Sequence, residues 1–213
     1  MIEVNGIQVF GWEVAVTGMR NPMNSWDKSD SYYDHALHEF IIGDNDLNLM
    51  KHLTVAGPEH RKFLRMIHVQ IKAVIAPLYW WKEYDTYKVG TTANSCSTMH
   101  KIHTKHFELN DFSHENLNND YSVFNLSGSI DVLNALRDEY NKTKDKDVWY
   151  QMIQLLPSSY NQQRSLDFTY ENALSMIHQR KNHKLDEWRR FVDILQRLPY
   201  MPELLEAYSE EGV

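Results

Sequence analysis

The residues of this 213-residue chain best suited to chemistry are its 11 histidines, its single cysteine and a short basic run near the C-terminus. His100, His103 and His106 recur at every third position. On a helix they would share a face, where imidazoles can hold a common cation. The competing reading is a polar segment in which Lys101 and Lys105 interleave with partly exposed histidines. Glu108 points off that face and Cys96 falls in an expected loop, so the ligand set stays incomplete and no metal is expected. Cys96 lies between Ser95 and Ser97, where a nucleophile would be accessible. The alternative is a small buried filler. Trp80 and Trp81 precede Lys82, and Tyr84 and Tyr87 follow. Aromatic planes beside a cation can hold a planar ring and its phosphate, or can simply form a core helix with exposed tips. Arg180 and Arg189 bracket Lys181-Asn182-His183-Lys184. That cluster is either a solvated junction neutralised by Asp186 and Glu187, or an anion pocket, because arginine forks and helix N-termini both favour phosphate.

What is missing narrows the chemistry further. There is no P-loop, no Rossmann glycine fingerprint, no nucleophile elbow and no paired zinc-protease histidines. Hydrophobic residues make up 42% and charged residues 24%, the composition of a globular protein. The net charge of −7 disfavours generic binding to nucleic acid or to an anionic membrane. One cysteine excludes an internal disulfide framework and suits a reducing compartment. The opening residues carry no basic leader and no apolar run spans a bilayer, so a cytoplasmic location is expected. Asn125-Leu126-Ser127 and Asn141-Lys142-Thr143 have the form of glycosylation acceptors and are read as chance.

The elements that must position these groups follow from periodicity and punctuation. Asn5-Gly6 predicts a hairpin turn between strands at Ile2–Val4 and Ile7–Thr17. Met19–Asp34 reads as a polar loop and His35–Ile42 as a short helix. Asp44-Asn45-Asp46 offers caps for a helix through Lys51, ended by Gly57-Pro58. Glu59–Ile75 reads as a short helix feeding a buried strand, and Pro77 starts a helix to about Tyr87. Val89–His100 and Asn110–Asn125 read as loops. Ser129–Tyr140, a segment capped by Asp145 and running to Leu155, Ser165–Gln179 and His183–Leu198 are expected helices. Strands early and helices late make the class α+β, with residues 1–213 forming one domain.

Taken in order, the clusters resemble the flavin-dependent thymidylate synthases, the thymidylate synthase complementing protein family. Leu49-Met50-Lys51-His52 followed by Gly57-Pro58-Glu59-His60 is similar to that family's helix and its Glu-His. Tyr79-Trp80-Trp81-Lys82-Glu83-Tyr84 stands in the place of the stretch ending Arg-His-Arg. Asn94-Ser95-Cys96-Ser97-Thr98-Met99-His100 resembles Asn-Glu-x-Ser-x-Arg-Tyr. Leu156-Pro157, a helix ending at Arg180, and His183 to Arg189 resemble the C-terminal pattern. Asn94, Ser97, Arg180, Glu187 and Arg189 match. Lys82-Glu83-Tyr84, Ser95, Met99, Lys184 and Leu185 depart. The resemblance covers most of the chain from about Leu49 to Tyr208.

The resemblance implies an α+β fold with a mixed sheet, a homotetramer and active sites shared between subunits. It implies FAD as cofactor, NADPH and methylenetetrahydrofolate as co-substrates, and reductive methylation of dUMP or a related pyrimidine nucleotide at C5. His60, Asn94 and His183 are then expected near the flavin. Lys82, Tyr84, Ser97, Arg180 and Arg189 are expected on the nucleotide, with Ser97 in the catalytic loop. The alternative is a non-catalytic nucleotide- or flavin-binding protein that keeps the fold.

Overall fold

Apolar residues at alternate positions make His68–Pro77 (β4) the central strand, burying Val69, Ile71, Val74 and Ala76. In the computed structural model, which describes residues 1–210, β4 lies between Glu3–Phe10 (β1) and Asn161–Thr169 (β6). Thr91–Ser95 (β5) completes a four-stranded sheet of order β1-β4-β6-β5. Every pairing is antiparallel, so the α+β class stands while the sheet is not mixed. A register shift between Ile71 and Val74 bulges β4, and the Ser165 hydroxyl donates to the Lys72 carbonyl there at 2.7 Å.

The expected N-terminal hairpin is replaced by one strand. Asn5-Gly6 lies inside β1, because β1 pairs with β4 rather than with the segment next in sequence. Gly6 holds φ +72°, and a Cβ there would come within 2.9 Å of the Lys72 Cβ. The turn falls at Gly11 instead, with φ +96° and the Met66 carbonyl oxygen 2.2 Å from where a Cβ would stand. Trp12–Arg20 is therefore a helix (α1), burying Trp12, Ala15, Val16 and Met19.

His35–Ile42 is likewise not a helix. Asp34 accepts from the amides of Ala36 and Leu37, at 2.8 and 3.1 Å, and turns the chain so that Tyr32–Asp34 (β2) pairs with Glu39–Ile41 (β3). The Asp44–Val55 helix (α2) starts as expected, but its first amides are capped from outside. Asp30 accepts from the amides of Asn45 and Asp46. Asp46 is thereby freed to point inward. Its buried carboxylate accepts from Arg20 Nε at 2.6 Å, Ser29 Oγ at 2.7 Å and Ser31 Oγ at 2.6 Å.

Leu78–Tyr84 (α3) follows Pro77, as expected. Val89–His100 is not all loop: it supplies β5 and the short helix Thr98–Lys101 (α4). Asp120–Thr143 (α5) begins at an Asn119 cap, well before Ser129. Asp145 caps Lys146–Leu155 (α6), as expected. Ser165–Thr169 belongs to β6, so the helix expected from Ser165 begins only at Tyr170, as Tyr170–Arg180 (α7). Asp186–Leu195 (α8) buries Trp188, Phe191, Val192 and Leu195 at helical spacing. Met201–Glu210 (α9), with no counterpart in the expected elements, packs against α2.

Among the described residues two apolar clusters result. The larger joins the inner face of the sheet to α1, α3, α7, α8 and α9, and includes Trp80, Trp81, Tyr84, Phe168 and Phe191. The smaller gathers Phe107, Phe112, Leu126, Leu133 and Met152 around α5 and α6. Asn134 supports it from within, bonding both the amide and the carbonyl of Phe107. Among the described residues no helix is long and apolar enough to cross a membrane.

Candidate functional site

The basic run near the C-terminus folds into the junction between α7 and α8. Arg180, the last residue of α7, sends its side chain onto aromatic rings from two other elements. Its guanidinium carbon lies 4.9 Å from the Trp188 ring centroid and 5.5 Å from that of Tyr87. Its Nε donates to the Tyr87 hydroxyl at 2.9 Å, and its Nη1 reaches Glu83 Oε2 at 3.4 Å. His183 stands 6.2 Å from Trp188, ring to ring. Its Nδ1 accepts from the Leu185 amide at 3.2 Å, which assigns the ring proton to Nε2. Burial and the neighbouring Arg180 cation hold its pKa below the ordinary imidazole value. His183 is thus a neutral donor at this junction.

Arg189 lies one step further out and is half exposed. It donates to the His183 carbonyl at 3.0 Å and pairs with Asp186. Glu187 does not neutralise it. That carboxylate is buried and accepts from the Tyr79 hydroxyl at 2.6 Å and the Met1 amino group at 3.0 Å. Burial alone would raise its pKa, but these donors together lower it.

A second guanidinium repeats the arrangement. Arg164, on β6, sits 4.3 Å from the Trp81 ring centroid, donates Nε to Gln162 Oε1 at 3.0 Å and reaches Asp85 Oδ1 at 2.8 Å. Sequence reasoning passed over Arg164, Glu83 and Asp85 in these roles. The available signal was the pair of acids spaced two apart at the end of an aromatic helix.

The other expected site residues lie elsewhere. Tyr84 is 1% exposed inside the aromatic core, and burial pushes its pKa well above the usual phenol range. Lys82 is exposed on α3. Ser97 accepts from the His100 amide at 3.1 Å and caps α4. Asn94 is exposed on β5, on the outer sheet face, along a groove of about 440 Å³ shared with Gln70, Lys72, Ser165 and Asp167. His60 is exposed in the turn after α2, 3.5 Å from Glu59. Among the described residues no hydrogen bond, ion pair or ring contact joins His60, Asn94 or Ser97 to the α7–α8 junction. A larger hollow of about 1270 Å³, between β1, the β2–β3 hairpin and the turn before α9, contains none of the expected site residues.

The histidine series does not form a face, because α4 ends at Lys101. His100 and His106 are exposed, while His103 packs against Tyr140 at 4.9 Å. Among the described residues no three His, Cys, Asp or Glu side chains converge on a metal site. Cys96 is exposed rather than a buried filler, and its backbone extends the β5–β6 pairing through a bond to the Gln163 carbonyl.

No family model matches the chain, and no curated protein does. Solved structures do. Thymidylate synthase X (ThyX) from Helicobacter pylori, in a crystal structure with FAD and dUMP, superposes at a TM-score of 0.68 over 97% of this chain and 99% of its own, at 14% identity. A second Helicobacter pylori structure, of the flavin-dependent thymidylate synthase ThyX complexed with FAD and dUMP, gives 0.68 over 97% and 98%, at 15% identity. At this identity the likeness is one of fold.

Proposed function

We propose that this chain is a ThyX-like enzyme acting at C5 of a pyrimidine nucleotide, dUMP or a close relative, with FAD as cofactor and methylenetetrahydrofolate and NADPH as co-substrates. The observation that carries the reading is the full-length likeness of fold to structures that hold FAD and dUMP. The donor chemistry of the α7–α8 junction fits a phosphorylated cofactor or substrate. His183 offers a neutral N–H, Arg189 a half-exposed guanidinium and Arg180 a second one on an aromatic bed. FAD, when bound, supplies the redox chemistry that reduces the transferred one-carbon group.

In this reading Arg180, Arg189 and Lys82 supply charge for the nucleotide phosphate, with Ser97 as a hydroxyl donor near the base; Tyr84, enclosed in the aromatic core, takes no part. Ser97 belongs to the loop nearest the reacting carbon, and His60, Asn94 and His183 hold the cofactor. These groups lie apart within one chain, which suits sites completed between subunits of a homotetramer. The expected setting is the cytoplasm.

A second reading has a specific observation in its favour. Arg180 and Arg164 each already face a carboxylate, Glu83 and Asp85, which suits a fold retained for binding after catalysis was lost. Flavin absorbance of the purified protein, before and after incubation with FAD, tests both. Bound flavin together with loss of the C5 hydrogen of dUMP in a turnover assay supports the enzyme. Bound flavin or nucleotide without turnover supports the binding protein. Failure to bind FAD, dUMP or dTMP ends both.

A further inference from the structure

Glu83 and Asp85 come from one short segment, the end of α3 and the 3-10 turn Asp85–Tyr87 that follows it. Each reaches a different arginine, and each arginine rests on a different tryptophan. The two arginine side chains are largely buried, 14% and 16% exposed, whereas their acids are 37% and 41% exposed. The guanidiniums are thus fixed by the fold. Arg164 is held by Trp81 and the Gln162 amide oxygen, Arg180 by Trp188 and the Tyr87 hydroxyl. The carboxylates are the outer and more exposed partners. A guanidinium presents one planar fork to an anion, and here an acid already occupies part of it.

We propose that Glu83 and Asp85 set the charge selectivity of this site. They act as internal stand-ins for a ligand phosphate, so that a phosphorylated pyrimidine engages Arg180 or Arg164 only by displacing the carboxylate that faces it. An uncharged pyrimidine nucleoside pays no such penalty. An anion approaching the site also meets the repulsion of whichever acid it displaces. This inference rests on the pyrimidine-nucleotide reading above and adds the residues that tune it.

The test is calorimetric titration of the full chain with dUMP and with deoxyuridine, for the parent, Glu83→Gln, Asp85→Asn and the double variant. Glutamine and asparagine keep the shape of the acids and remove their charge, and thermal melting checks that each variant is folded. The double variant is expected to bind dUMP at least about tenfold more tightly, with deoxyuridine affinity unchanged. Adding Arg180→Ala to the double variant is expected to abolish most of the gain. Unchanged dUMP affinity in the double variant overturns the inference while leaving the nucleotide reading intact. So does an equal gain for deoxyuridine, which would report general loosening. Binding of neither compound by any variant removes the nucleotide reading and the inference with it.

Discussion

Asp46 is the residue on which the N-terminal third turns. It is fully buried and takes hydrogen bonds from Arg20, Ser29, Ser31 and the amides of Asp30 and Ser31. Burial pushes its pKa up, but the donors, Ser31 and Ser29 before Arg20, outweigh this and leave it lowered. A carboxylate lowered on folding stabilises above its unfolded pKa, and that stability is lost as pH falls through the folded value. Asp46→Asn leaves Arg20 buried without its partner and is expected to cost about 3–5 kcal/mol at neutral pH. Chemical denaturation at pH 7 and near pH 3 checks it: the gap between variant and parent narrows on acidification. A gap independent of pH would mean that Asp46 acts through packing alone. Arg189 tests the proposed phosphate site from its exposed side. Arg189→Ala is expected to weaken dUMP binding by about tenfold or more, about 1.4 kcal/mol, with the melting temperature unchanged. Affinity equal to the parent's would reduce this arginine to the partner of Asp186.

At the scale of elements, local signals succeeded where the partner was near in sequence. Asp145 caps α6 and Pro77 starts α3 because a cap or a fixed φ acts within one turn. They failed where a distant strand decided. Asn5-Gly6 has the chemistry of a hairpin turn, yet β4 claims the whole of β1. Ser165 to Thr169 adjoins the helical spacing of Ala173 and Ile177, yet its Leu166 and Phe168 alternate as in a strand and β4 and β5 both pair with it. Gly128 marks a local weakness inside α5: a Cβ there would meet nothing within 4 Å. Gly128→Ala is therefore expected to stabilise the protein by about 1 kcal/mol, or roughly 2–4 °C in melting temperature. A fall in melting temperature would show that something packs against Gly128 in solution.

At the scale of the molecule, a single chain brings Arg180, His183 and Arg189 to one junction and leaves His60, Asn94 and Ser97 on other surfaces. Sites completed by a neighbouring subunit would reconcile this with the shared-site architecture that the sequence resemblance implies. The chain is accordingly expected to be a tetramer, or at least an oligomer, at micromolar concentration. Light scattering coupled to size exclusion measures this, and a monomer under those conditions would remove the shared-site reading.

The order of clusters along the chain was enough to anticipate the α+β class and the kinship of fold, because both depend on the sequence of elements rather than on any one contact. It also placed the basic run at a helix junction, since α7 and α8 are adjacent and their periodicity is local. Tertiary structure alone decided what the arginines face. Glu83 and Arg180 are far apart in sequence, as are Asp85 and Arg164, and no periodicity couples them. Whether a guanidinium is free for a ligand or answered by an acid depends on which elements pack together. Here α3 packs beside β6 and the end of α7, so Glu83 meets Arg180 and Asp85 meets Arg164.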